Sequence, residues 1–266
     1  MIEIYVRNIR SLYDKTAFDT ELLKVDSKRR EKINACKKQP EKVRSLGAGL
    51  LLMQGLERYL KKEGKTKNSG ELEYCYGENG KPSFKEYPDF QFNLSHSGDY
   101  VVGVFSDEKV GIDIQEMRTK ERTIARRFFT RAEQVQIEQA GLFQETNTPT
   151  TNVSTVQIPT TQIPRTQIPT SRIPAVPHDR EAEKTDAFYC IWAAKESYMK
   201  YTGLGMRLPL DSFNADIKKQ VINIPETGET AAYLFQVNIS GDYKCMVCTG
   251  QPISDDSRVI YQCLPV

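Results

Sequence analysis

The chain has 266 residues, with 39% hydrophobic and 27% charged side chains and a formal net charge of +2, a composition ordinary for a soluble globular protein. Thirty-seven basic against 35 acidic residues exclude a uniformly basic nucleic-acid coat and a polyacidic tail, though not a local patch. No run reaches the roughly 18 apolar residues of a membrane span, and Met1 to Arg7 reads as a strand instead of a signal peptide, so a cytoplasmic protein is expected.

After that strand the chain turns helical: Leu46, Leu50, Met53, Leu56 and Leu60 recur at helical spacing. Residues 24–44 carry nine Lys/Arg against Asp26, Glu31 and Glu41. Such a patch either binds phosphates or is a solvated helix face, and no nucleic-acid recognition motif accompanies it. Gly80-Lys81-Pro82 predicts a turn that fixes a lysine beside a rigid proline. Residues 90–94, 100–105 and 110–114 read as strands, and 120–139 as helical.

Two places among these strands hold chemistry. Asn93-Leu94-Ser95-His96-Ser97-Gly98 closes a strand in small polar residues, either an anion site or a polar hairpin turn. In Gly111-Ile112-Asp113-Ile114-Gln115, alternation puts Asp113 and Gln115 on one face and the isoleucines on the other. A carboxylate on a buried strand is unfavourable unless paired or metal-bound. It is therefore either a salt-bridged aspartate or part of an oxygen-rich Mg²⁺ site.

Residues 144–183 differ from the rest. From Gln157 a five-residue unit repeats with Pro159, Pro164, Pro169 and Pro174, which denies the backbone donors of helix and central strand. Little apolar surface offsets the cost of ordering it. An extended or disordered insertion is expected, with a partner-binding proline motif as the alternative. A helix is then predicted over Thr185–Tyr201, with Trp192, Glu196 and Lys200 on one face. That carboxylate and ammonium are either a helix-stabilising pair or a metal ligand and base beside a phosphate clamp. Strands follow near 220–223, 231–238 and 243–249. In the last, Cys245 and Cys248 should point to opposite faces as buried thiols, not a metal site. Clustered helices and antiparallel strands predict an α+β fold and not a doubly wound sheet. Gly203-Leu204-Gly205 and Gly47-Ala48-Gly49 do not make a dinucleotide fingerprint, and no hydrolase elbow is present.

In this order, Gly80-Lys81-Pro82, Phe92-Asn-Leu-Ser95-His96-Ser97, Gly111-Ile-Asp113-Ile, Arg127-Phe-Phe and Trp192-x-x-Lys195-Glu196-Ser-x-x-Lys200 resemble the 4′-phosphopantetheinyl transferases of the longer, Sfp-type group. So do Arg30-Glu-Lys32, Arg44-Ser-Leu-Gly and Leu208-Pro-Leu-Asp-Ser-Phe213. The resemblance covers nearly everything outside 144–183. It implies a pseudo-dimer of two similar α/β lobes, 1–105 and 106–266, with the active site in the cleft between them. It also implies transfer of phosphopantetheine from coenzyme A to a serine of an apo acyl, peptidyl or aryl carrier protein, releasing 3′,5′-ADP.

The implied roles follow residue by residue. Asp113 and Glu196 hold Mg²⁺ on the diphosphate, with Gln115 a weak or water-mediated ligand where glutamate is commoner. Glu196 is the base, and Lys200 stabilises the diphosphate. Arg29, Lys32, Arg44, Lys81, Ser95 and His96 hold the nucleotide and its 3′-phosphate. A monomer free of nucleic acid and membrane is expected. The alternatives are a catalytically silent coenzyme A-binding protein of this fold, or an interaction protein working through its proline repeat.

Overall fold

The structure, a computed structural model, describes residues 2–66, 72–118, 125–140, 179–239, 241–253 and 260–264. Strand β1 (Glu3–Asn8) leads through a 3-10 turn into α1 (Lys15–Leu22), α2 (Ser27–Ala35) and the long α3 (Gln39–Lys62). Asp14 and Asp26 start α1 and α2 by accepting from the Ala17 and Arg29 amides, the usual way to satisfy orphan donors at a helix start. A short hairpin of β2 (Tyr74–Tyr76) and β3 (Pro82–Phe84) precedes β4 (Gln91–Ser97), β5 (Tyr100–Ser106) and β6 (Val110–Glu116). Then come α4 (Ala125–Phe128), α5 (Arg131–Gln139), α6 (Arg180–Thr202), β7 (Asn214–Asp216), β8 (Val221–Asn223), β9 (Thr230–Val237), β10 (Tyr243–Thr249) and β11 (Ile260–Leu264).

Among the described residues the larger sheets run β11-β1-β5-β4 and β6-β10-β9-β8-β7. Strand alternation sorts the core into layers. On β1, Tyr5 packs with Leu46, Leu50 and Leu56 of α3, while Ile4 and Val6 face Val102, Val104, Ile112, Ile114 and Val247 between the sheets. On β10, Met246 and Cys248 turn to Phe188 and Ile191 of α6. The order is helix, sheet, sheet, helix: an α+β fold in which every sheet face is covered. Cys245 lies between the sheets and Cys248 against α6, the opposite-face placement that the strand period predicts.

Several boundaries differ from the sequence reading. The strand expected at 90–94 continues through His96 to Ser97, because the small polar side chains bond to the neighbouring sheet instead of ending the strand. The stretch 120–139 divides at Phe129-Thr130, where Thr130 opens α5 with a capping box to Glu133. The helix expected from Thr185 begins at Arg180, since Asp179 accepts from the Glu181 and Ala182 amides. Residues 180–183 are therefore helical and do not belong to the insertion, and 144–178 lie outside the described residues. Strand β8 starts at Val221, just after Gln220 with φ 56°. Strand β11, parallel to β1, was not expected. No helix among the described residues is long and apolar enough to cross a membrane.

Candidate active site

Helix α6 is buried almost all round from Phe188 to Met199, so it packs as a central rod and its few polar side chains must find partners inside. Its approach to β6 depends on Gly111: a Cβ there would overlap the Ser197 carbonyl oxygen and the Tyr201 amide. The missing side chain lets the helix backbone rest on the strand, which brings Lys200 to Asp113 two residues along. The helix ends at Gly203 in the left-handed region, φ 75°, a conformation that L side chains resist.

Asp113 is 3% exposed, and polar side chains hold both of its carboxylate oxygens. Its Oδ1 accepts from Lys200 Nζ at 2.6 Å and from Ser95 Oγ at 2.8 Å. Its Oδ2 accepts from Gln115 Nε2 at 2.7 Å. Alternation puts Gln115 on the Asp113 face as expected, but the amide nitrogen, not the carbonyl oxygen, meets the carboxylate. Lys200 Nζ also donates to Ser95 Oγ at 2.9 Å. Ser95, Asp113, Gln115 and Lys200 thus form one network.

A side-chain ladder fixes the register of that network. Asn93 Oδ1 accepts from the Ile112 amide at 2.9 Å, Ser95 Oγ from Ile114 at 3.4 Å, and Ser97 Oγ from Glu116 at 3.0 Å. Cross-strand pairing with Val104, Val102 and Tyr100 of β5 shows that these three side chains share the face turned to the second sheet. The unpaired edge of β6 is satisfied by side chains where a backbone ladder would otherwise sit.

Around the network stand the other charged groups. Glu196 precedes Lys200 by one helical turn. Burial, then the nearby Asp113 charge, raises its carboxyl above the usual range, and Lys200 opposes this. His96 is exposed on the rim. Desolvation by the surrounding protein, then the positive charges of Arg44 and Lys200, hold its imidazole below the usual range. Arg44, on α3, has a buried Nε with no hydrogen-bond partner. Lys81 lies across the end of α6, donating to the carbonyls of Val110 at 2.9 Å and Tyr201 at 3.4 Å. Burial, and secondarily Lys109, lowers it to about 8. Arg29 and Lys32 stand on α2, outside this network. Arg29 lays its stem against Gly49 of α3, and Lys32 is exposed.

The sequence reading missed the partner of Lys195. This lysine is fully buried and donates to Glu133 Oε1 at 2.5 Å and to the Phe213 carbonyl at 2.8 Å. Its ammonium lies 4.3 Å from the centre of the Phe213 ring. Glu133 also accepts from the Ala215 and Thr130 amides. The one sequence signal was Thr130-x-x-Glu133, a capping-box spacing. It locates a helix start but not the lysine that meets it 62 residues later.

The donor set suits one class of cation. Asp113 and Glu196 are near enough to repel, and no group of three or more His, Cys, Asp or Glu is gathered as a metal cage among the described residues. Two carboxylates beside a single ammonium fit a hard cation that takes its remaining ligands from water or substrate phosphates, as Mg²⁺ does.

A family model described as the 4′-phosphopantetheinyl transferase superfamily matches residues 162–248, the stretch that carries α6 to β10. The chain is 27% identical over 202 residues to the 4′-phosphopantetheinyl transferase ffp of Bacillus subtilis, covering 74% of this chain and 72% of that protein. It is 28% identical over 188 residues to Sfp of Bacillus subtilis (strain 168), covering 70% and 66%. It is 29% identical over 189 residues to psf-1 of Bacillus pumilus, covering 70% and 64%. The matches thus span about two thirds of each relative. With α6 placing Glu196 and Lys200 beside Asp113, these matches support a 4′-phosphopantetheinyl transferase of the Sfp type.

Proposed function

We propose that the protein transfers 4′-phosphopantetheine from coenzyme A to a serine hydroxyl of an apo acyl, peptidyl or aryl carrier protein, releasing 3′,5′-ADP. The observation that carries this reading is the convergence of Asp113, Glu196 and Lys200 from β6 and α6. It is read as a monomeric, cytoplasmic enzyme whose cysteines at 36, 75, 190, 245 and 248 are free thiols, as suits a reducing compartment. The two lobes of the pseudo-dimer are read as 1–105 and 106–266, with the site where β4 meets β6 and α6.

The chemistry follows from the charges. Phosphoryl transfer rests on positioning and on stabilising the charge that develops at phosphorus and on the leaving oxygen. Asp113 and Glu196 would hold Mg²⁺, which supplies Lewis-acid stabilisation of the diphosphate. Gln115, its amide nitrogen committed to Asp113, fits an orienting role with water between it and the ion. Lys200 shifts from Asp113 toward the diphosphate and steadies the departing ADP. Glu196, one helical turn from Lys200, is also read as the acceptor of the attacking serine's proton, directly or through water. Arg44, with its unpartnered Nε, and the exposed His96 provide donors for the 3′-phosphate. Lys81 adds a cation at the mouth, while Arg29 and Lys32 extend the basic surface for the nucleotide.

The test is direct. Incubation with coenzyme A, Mg²⁺ and an apo carrier protein should raise the intact carrier mass by one phosphopantetheine. An unchanged mass across acyl, peptidyl and aryl carriers would overturn the reading.

A further inference from the structure

The basic residues of α2 are not alike. Lys28 and Lys32 are exposed, whereas Arg29 is half-buried. The Arg29 amide donates to Asp26 Oδ1 at 2.8 Å. Its stem fills a slot over Gly49 of α3, where a Cβ would lie 2.9 Å from Arg29 Cγ and 3.3 Å from its Cδ. Asp26 gives its second oxygen to a tyrosine from a distant strand: Tyr74 Oη donates to Oδ2 at 2.9 Å, 48 residues away in the chain. The Arg29 guanidinium stands at the same hydroxyl, where its charge opposes the effect of burial on the phenol. The Tyr74 ring packs on Phe84, with 4.8 Å between ring centres.

Tyr74 lies on the β2–β3 hairpin, a two-stranded sheet separate from the two larger ones, and such a pair is marginal by itself. Side chains fix its place at both ends: Tyr74 on α2, and Lys81 on the Val110 and Tyr201 carbonyls. We propose that Tyr74 is a positioning residue for coenzyme A binding: its hydroxyl, anchored on the cap of α2, holds the Arg29 guanidinium ready for a phosphate. This rests on the transferase reading above. A free arginine side chain loses rotamer entropy when it grips an anion. A stem seated over Gly49 and a head set by Tyr74 have lost much of it beforehand, which favours binding. The guanidinium carries more donors than one hydroxyl accepts. The tie therefore need not break when a phosphate arrives, and the rest of the fork stays open to it.

The experiment measures coenzyme A affinity by calorimetry, and kcat by carrier mass, for Tyr74→Phe, Arg29→Ala and the double variant. Phenylalanine keeps the ring against Phe84 and removes only the hydroxyl. Tyr74→Phe should weaken coenzyme A binding about fivefold, the scale of one net hydrogen bond, with kcat within about twofold of wild type. In the Arg29→Ala background the same change should have less than about a 1.5-fold effect, because a positioning residue then has nothing to position. Gly49→Ala pushes on the Arg29 stem and should repeat the Arg29-dependent loss, which keeps the test open if Tyr74→Phe folds poorly. Tyr76→Phe is the control, on the same strand at a residue 67% exposed, and should leave binding unchanged. The proposal is overturned if Tyr74→Phe binds coenzyme A as wild type does, if its loss persists in full without Arg29, or if Tyr76→Phe weakens binding equally. A wild-type protein that binds coenzyme A but modifies no carrier would sink the transferase reading alone. The binding cycle between Tyr74 and Arg29 would still decide the task of Tyr74.

Discussion

Among the described lysine–carboxylate pairs of helix α6, those of Lys195 and Lys200 lie five residues apart and are built for opposite ends. Lys195 and Glu133 are both fully buried, with side-chain exposures of 0%. Backbone groups complete the pair: the Phe213 carbonyl, and the Ala215 and Thr130 amides. In the other pair Asp113 is nearly buried, but Lys200 keeps 27% of its side chain exposed. The remaining partners there are the side chains of Ser95 and Gln115. Backbone partners cannot move without unfolding an element, so the first pair is a fixture joining α5, α6 and β7. Side-chain partners rearrange when a ligand arrives, so the second can exchange an ammonium for a metal or a phosphate.

Breaking the sealed pair should have the largest effect. Glu133→Gln keeps the shape but strands a buried ammonium, and should cost about 3–5 kcal/mol of stability by urea unfolding, with turnover per folded molecule unchanged. Lys195→Met in the same chain should recover part of that loss, because an apolar replacement of both charges is gentler than removal of one. Full loss in the double variant would show that the pair is not the source of the stability.

The open pair should respond in the opposite way. Glu196→Gln is expected to lower turnover at least about 10²-fold, the lower end for lost acid–base catalysis, with little change in melting. Activity within threefold of wild type would remove Glu196 as base and ligand. A smaller effect tests whether Lys200 stands where a cation binds. Lys200→Met removes the ammonium from Asp113, so the protein without coenzyme A should bind Mn²⁺ about tenfold more tightly by electron spin resonance. That is a modest fraction of the about 4 kcal/mol between unit charges 4 Å apart at an effective dielectric of 20. Equal or weaker binding would place the cation elsewhere.

Lys81 sharpens the comparison on the pH axis. Its pKa is lowered by burial to about 8, so the free protein loses this cation as pH rises through 8. A bound phosphate favours the protonated form, so binding above pH 8 must take up a proton. Coenzyme A affinity, read by calorimetry, should therefore fall by up to about tenfold between pH 7 and 9, and Lys81→Met should flatten that slope. The smallest effect is expected from the proline repeat. Deletion of 146–178, keeping the Asp179 cap of α6, should leave melting temperature and carrier modification unchanged. Loss of activity on the native carrier alone would make the repeat a recognition element.

The chemistry of the site was legible because it resides in residue type and local period. Alternation placed Asp113 with Gln115, and helical spacing placed Glu196 with Lys200, before any contact between strand and helix was known. The segment Asn93 to Ser97 was harder. Small polar residues end strands at turns, so the sequence reads there as an anion site or a polar hairpin turn; the turn itself is Gly98-Asp99 between β4 and β5, and Asn93 to Ser97 lie within the strand. Their bonds are to another strand 19 residues away, a distance at which no local rule operates. Gly111 was likewise visible as part of a motif, but its reason lies in the α6 backbone pressed against it.

The sequence by itself determined the α+β class, the helices and central strands, and the identity of the charged groups, because periodicity and side-chain chemistry act within a few residues. Only the tertiary structure decided that Lys195 is a sealed strut and Lys200 an open contact. Both lysines lie on one helix, and what separates them is the element each meets: Lys195 the capped start of α5 and the backbone of Phe213, Lys200 a strand carboxylate and a buried serine. Burial and partner choice are properties of the assembled layers. Two identical residues one turn and a half apart therefore acquire different tasks only when α6 is laid against β6.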